Sequence, residues 1–369
     1  MHIRPFRAAH PKLEFITATD SFFDSVKEAY LEYVESGLFT KREAPAVYVY
    51  QIRGPQRRYT GLLACVDIED YLYGHIKKHE HTLADKEQMQ LQLLLRRQAA
   101  VKPVLLTYSA VPVLSDWAEG RAAAGAPFFQ TYFEADQQTH LLWEVAEVEA
   151  IREVQALFAE YVPTAYIADG HHRTTSTALL YERTEGWPQR ARYGNLFCAL
   201  FPSTDLAVHD FNRLVEGMDD LSPSLFMARL AQLFDIEILA APRRPKRKHE
   251  LLMFLNQEWY YLRWKPAVLD AYRNEPVVLD SQLLNQRVLK EMLGVADVRT
   301  DQRVEYVEGP QGLEGIRRRA ARKDFSVGFC LYPVEVKEMM TLADQDRVLP
   351  PKSTWFEPRM KNGLLVLEY

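Results

Sequence analysis

Tyr166-Ile167-Ala168-Asp169-Gly170-His171-His172-Arg173 decides how this chain is read. The apolar run over 165–168 predicts a buried strand. It stops at Asp169-Gly170, and helical spacing follows over 174–182. Strand, glycine turn and helix start in succession aim free backbone N–H groups and the positive end of a helix dipole at whatever lies beyond the strand. Gly170 permits close backbone approach. Arg173 can fork onto a phosphate, His171 and His172 add donors, and Asp169 adds a carboxylate. Any one of these residues alone reads as a hydrogen-bonded turn with surface histidines. Five polar groups in one turn predict an anion site, and specifically a nucleotide phosphate site.

Two further stretches concentrate polar chemistry. The first, Gly74-His75-Ile76-Lys77-Lys78-His79-Glu80-His81-Thr82, precedes a helical segment over 85–99. If it were helical, His75 and His79 would form an i, i+4 metal pair, although the HExxH pattern is absent. Its other readings are a polar loop capping the next helix, or a catalytic loop with Glu80 as base and Lys77 and Lys78 facing phosphate, with His79 a further residue of the site. The second is Pro350-Pro351-Lys352-Ser353-Thr354-Trp355-Phe356-Glu357-Pro358. Held between prolines, Lys352, Ser353 and Thr354 can bind phosphate through an ammonium and hydroxyls. A rigid surface loop is the alternative. The chemistry predicts that Glu80, Asp169 and the 352–354 loop meet in one cleft.

The remaining pattern is that of a mixed α/β protein. Helical spacing covers 22–36, 148–158, 222–234, 281–293 and 313–321. Strand patterns cover 46–52, 59–68, 104–108, 130–134, 140–145 and 195–201, with 206–211 read as a partner of the last. A hairpin is expected over 250–264 and a buried strand over 325–331. Pro242-Arg243-Arg244-Pro245-Lys246-Arg247-Lys248 reads as a solvated linker, which predicts an α/β core over 1–240 and a C-terminal α+β region over 241–369.

Composition narrows the class. The chain has 369 residues, 47% of them hydrophobic and 26% charged, which predicts a globular protein of two or three domains. A net charge of −5 opposes a nucleic-acid or anionic-membrane partner. No apolar run approaches a membrane span. Cys65, Cys198 and Cys330 lie apart in apolar runs, the pattern of reduced core residues in a cytoplasmic protein. P-loop, GxGxxG, GxSxG and kinase motifs are absent, so a bound nucleotide needs another cradle.

Five landmarks together resemble the domain of unknown function family 1015. They are Ile76-Lys77-Lys78-His79-Glu80, Asp169-Gly170-His171-His172-Arg173, Phe211-Asn212-Arg213-Leu214-Val215, Arg299-Thr300-Asp301 and the 350–358 motif. The family's central motif is similar to that of the ParB/sulfiredoxin-like superfamily and of free-serine kinases, where the equivalent turn cradles nucleotide phosphates. The resemblance implies a ParB/sulfiredoxin-like nucleotide-binding core and an ATP-dependent kinase of free L-serine, giving O-phosphoserine and ADP. Sulfiredoxin chemistry needs a cysteine where His171 stands, and ParB-type partition needs a basic face that this chain lacks. Two stretches depart from the family: a Pro-Pro-Tyr-Asp-Val motif near its N-terminus is missing, and Lys86-Glu87 is followed by Gln88-Met89-Gln90 without the usual Asp and Arg.

Two functions follow as expectations. In the first, ATP phosphates sit on Gly170, His171, His172 and Arg173, with Lys352, Ser353 and Thr354 also contacting them. Mg²⁺ bridges the phosphates. Glu80 draws the proton from a serine-like hydroxyl, and Asp169 is the second choice for base, or a magnesium contact. In the second, a divergent paralogue binds nucleotide as a sensor or scaffold without turnover.

Overall fold

A computed structural model describes residues 1–188, 190–217, 221–322 and 326–369. The fold is mixed α/β, divided into two compact units: Met1–Leu206 with Pro358–Tyr369, and Ala207–Glu357. No helix among the described residues is long and apolar enough to cross a membrane.

The first unit is built on a nine-stranded sheet. Its path runs Ile76–Lys77, Ala165–Asp169, Val104–Tyr108, Asn195–Pro202, Arg58–Asp67, Val47–Arg53, Gln138–Val145 and Phe129–Phe133, and Ile3–Arg4 pairs with Arg58–Asp67 off this path. The central strands are buried along most of their length because residues such as Val47, Val49, Leu62, Ala64, Leu106, Ile167 and Cys198 face one core. Val154 and Phe158 of the helix Val148–Tyr161 pack into the same core, their spacing placing them on one helical face. Gly61 is required where two strands approach. A Cβ there would stand 2.4 Å from the Leu200 carbonyl oxygen and 2.7 Å from the Phe201 ring. The strand Ala165–Asp169 runs parallel to Ile76–Lys77 and antiparallel to Val104–Tyr108. This places the loop after Lys77 beside the end of the central strand.

The second unit holds an antiparallel six-stranded sheet, in the order Phe234–Leu239, Glu258–Trp264, Glu250–Leu255, Ser326–Leu331, Phe211–Glu216 and Val304–Glu308. The hairpin expected over 250–264 is present. Phe325, where a strand was expected to begin, lies outside the described residues.

Two expectations are corrected. The division falls between Leu206 and Ala207, not at 240, because Phe211–Glu216 and Phe234–Leu239 share a sheet with strands beyond the basic run. Phe234, Leu251, Met253, Leu262 and Trp264 pack in one core, so the chain on either side of the run must stay together. The run itself is fastened down: Arg247 bonds Glu250 at 2.7 Å, Arg244 donates to the Gly309 carbonyl at 2.6 Å, and Lys248 pairs with Glu338. The segment over 206–211 does not pair with Asn195–Pro202, which already has neighbours on both sides. Ala207–His209 pairs instead with Trp355–Glu357.

Gly61→Ala is expected to lower stability by about 1–3 kcal/mol, the usual magnitude of overpacking against backbone. Urea denaturation checks it, and an unchanged midpoint in a folded variant would refute the close-approach argument.

Candidate functional site

The central strand ends at Asp169, and the helix His171–Arg183 begins immediately after Gly170. The sequence pattern anticipated that helix three residues later. Gly170 has φ 109°, a left-handed conformation suited to glycine, and makes no side-chain cap. Its absent side chain leaves room for a guanidinium, since a Cβ would stand 2.8 Å from Arg173 Nη2. Thr174 donates both its N–H and its hydroxyl to the Gly170 carbonyl, at 3.0 and 3.2 Å.

Arg173 does not reach outward. Its Nη2 bonds Asp169 Oδ2 at 2.7 Å and its Nη1 donates to the Pro103 carbonyl at 3.0 Å. Burial would raise the Asp169 carboxyl, but Arg173, Lys102 and Arg359 outweigh it and hold that carboxyl well below the ordinary range. Lys102 is pushed down to about 8, by burial first and then by Arg173. Lys102, Arg173 and Arg359 thus set three cations around one carboxylate beside a helix N-terminus.

The loop over 78–83 covers the other flank. His79 is buried, and its N–H donates to His171 Nε2 at 3.4 Å. Nε2 therefore accepts, and the neutral ring of His171 carries its proton on Nδ1, which lies 4.0 Å from Glu80 Oε2. The two imidazoles meet edge to face with centroids 4.5 Å apart. Burial pushes His79 down to about 4 and His171 well below its usual value. His172 is also lowered by burial, and its Nε2 accepts the Leu83 N–H at 3.1 Å. The segment 75–79 is strand and loop, not helix, so the i, i+4 metal pair does not form. His75 Nδ1 turns instead to buried Asp70, 3.0 Å away.

Glu80, His79, Asp169, Gly170, His171, His172 and Arg173 are therefore neighbours. Lys77 sits in the strand beside Tyr166, and Lys78 is exposed. Lys352, Ser353 and Thr354 belong to the second unit. There the Lys352 ammonium lies 5.0 Å over the Phe211 ring. Buried Ser353 donates its hydroxyl to the Pro350 carbonyl at 2.7 Å and lies 3.0 Å from Ser281 Oγ. That hydroxyl holds its own loop in shape and does not face outward for phosphate. Lys102 and Arg359 escaped sequence reasoning. Each is a single cation outside any motif that was singled out, far in sequence from the turn.

The family described as protein of unknown function DUF1015 matches residues 7–283. Among solved structures, a free serine kinase in complex with AMP aligns with 82% of this chain and 92% of its own, at 14% identity and a TM-score of 0.37. SbnI with C-terminal truncation, from Staphylococcus aureus, aligns over 81% and 85%, at 13% identity and a TM-score of 0.41. A conserved hypothetical protein from Pyrococcus furiosus aligns over 82% and 95%, at 12% identity and a TM-score of 0.37. No curated protein matches.

The ion pair predicts a pH dependence. A depressed Asp169 contributes stability that is present above the ordinary carboxyl range and is lost as pH falls through its lowered value. In Arg173→Met this loss should begin at higher pH. Side-chain carboxyl NMR across an acid titration reads the Asp169 midpoint directly. An unmoved midpoint would refute the assigned role of Arg173.

Proposed function

The chain belongs to the family described as protein of unknown function DUF1015, and we propose that it binds a nucleotide by its phosphates at the 169–173 turn and phosphorylates a small hydroxyl metabolite such as free L-serine. The observation that carries this reading is the meeting of a left-handed glycine and a helix N-terminus, with Lys102 acting on the same carboxylate. Phosphoryl transfer asks chiefly for positioning and charge neutralisation, which these groups supply.

The roles differ from those expected of the motif alone. Arg173 is a positioning residue, committed to Asp169 and the Pro103 carbonyl. Lys102 takes over the neutralising role. Asp169 is a poor proton acceptor because its carboxyl is held so low. Its hard oxygen suits magnesium, which commonly binds through one or two carboxylates and the substrate phosphates. The ion, when bound, would neutralise phosphate charge. Glu80 is half-exposed beside the same helix start and is the better candidate to draw a proton from the acceptor hydroxyl.

A second reading, a nucleotide-binding sensor without turnover, is favoured by one observation. The helix Ala84–Arg97 carries exposed Met89 and half-buried Gln90 where the family tends to carry an Asp and an Arg. Incubation with ATP, Mg²⁺ and a panel of amino acids, read as ADP release, separates the two.

Calorimetry tests the shared premise. Lys102→Met should weaken ATP binding by about 1.5–3 kcal/mol, the scale of a bond to a charged group. Lys102 is charged below about pH 8, so affinity in the native chain should decline as pH rises through that value. This decline should be absent from the variant. Equal affinity in the two proteins would refute the assignment.

A further inference from the structure

We propose that His79, Glu80 and His171 form a binding site for a divalent first-row transition-metal ion, distinct from any magnesium carried by phosphates. One donor atom from each residue lies within 4.8 Å of the other two. The donors come from two segments that the fold locks together. His79 and Glu80 follow the strand Ile76–Lys77, which pairs in parallel with the central strand, and His171 is the first residue of the helix after it. The His79 N–H on His171 Nε2 fixes the loop to the helix. Nδ1 of His171 lies 4.0 Å from Glu80 Oε2, and ligation through it shifts the ring proton to Nε2 at the expense of the His79 N–H contact. The histidines are buried at 3% and 6% exposure, so their rings are held by packing. Glu80 is half-exposed and is the ligand with room to adjust.

An ion bound to nitrogen and oxygen at about 2.0–2.2 Å in tetrahedral geometry sets its ligands roughly 3.3–3.6 Å apart. The present separations exceed that; a Glu80 rotamer change can shorten those that involve its carboxylate, and a small shift of the 78–83 loop must bring the two rings together. Two imidazoles with one carboxylate select against magnesium and calcium, which take oxygen. They suit zinc, cobalt, nickel or iron(II). Three protein ligands leave a further coordination position for water or substrate, the arrangement of a catalytic site and not of a closed structural one. While it holds an ion, Glu80 cannot also draw a proton from an acceptor hydroxyl, so the two readings describe different states of the chain, and because the test contains no nucleotide their outcomes are distinguishable.

The test is equilibrium dialysis of the chelator-stripped full chain against Co²⁺, with bound metal per chain and visible d–d absorption as readouts. The native chain should hold one equivalent, and Zn²⁺ should displace it. Glu80→Gln, at a half-exposed position that leaves both rings in place, should weaken Co²⁺ binding by at least about tenfold. His171→Ala should abolish it in a chain whose circular dichroism is native. If that variant does not fold, Glu80→Gln alone decides. His75→Ala, in the same segment but turned toward Asp70, should bind as the native chain does. Absence of stoichiometric Co²⁺ in the native chain, equal binding by Glu80→Gln, or loss of binding in His75→Ala would each overturn the proposal.

Discussion

Asp169 and Arg173 grip one another across a single glycine, and the geometry of the whole site follows from that grip. The pair sits one helical turn apart, so it fixes the start of the helix His171–Arg183 against the end of its strand. The guanidinium occupies the space a Cβ would need, which makes Gly170 necessary for packing as well as for its φ. Its second arm on the Pro103 carbonyl ties in the approach to the neighbouring strand, Val104–Tyr108. Because Arg173 is engaged, Lys102 is the cation beside the turn that remains to meet a ligand's charge. Because Asp169 is ionised, it stands as a ligand and not as a base.

The centre of this arrangement was legible in the sequence for a physical reason. A buried strand, a glycine and an abrupt run of polar residues are all local signals, and local signals survive without tertiary context. His79 and Glu80 were legible as chemistry but not as geometry. The helical reading of 75–79 paired His79 with His75, whereas sheet pairing of Ile76 with Ala165 turns the loop toward His171. Lys102 and Arg359 were invisible because a lone cation carries no periodicity. The unit boundary was misplaced because proline and charge mimic a linker. A sheet whose neighbours are far apart in sequence leaves no mark in composition.

The 350–358 motif shows how a polar stretch can serve packing. Trp355–Glu357 pairs with Ala207–His209, with His209 Nε2 3.0 Å from Glu357 Oε2. Trp355 meets Phe211 at 5.6 Å, and the Lys352 ammonium covers the same ring. Beneath them Arg213 is fully buried, bonding Asn285 at 3.2 Å and the Phe211 carbonyl at 2.7 Å. Burial lowers it to about 10, so it keeps its charge at neutral pH. The first and last residues of the second unit are thus joined to one another through two motifs that looked unrelated in the sequence.

The route of the chain has a consequence for biosynthesis. The strand Val366–Glu368 lies in the interior of a four-stranded sheet, between Ala8–Pro11 and Ala99–Ala100. The residues that flank it are synthesised early, whereas the strand itself is synthesised only after the whole Ala207–Glu357 unit. At about 5–20 residues per second, those flanking strands wait roughly 13 to 70 seconds with unpaired backbone groups on facing edges. The Ala207–Glu357 unit is made entirely within that interval and can fold ahead of the unit that precedes it. The first unit therefore carries an open strand slot until Val366–Glu368 arrives to fill it.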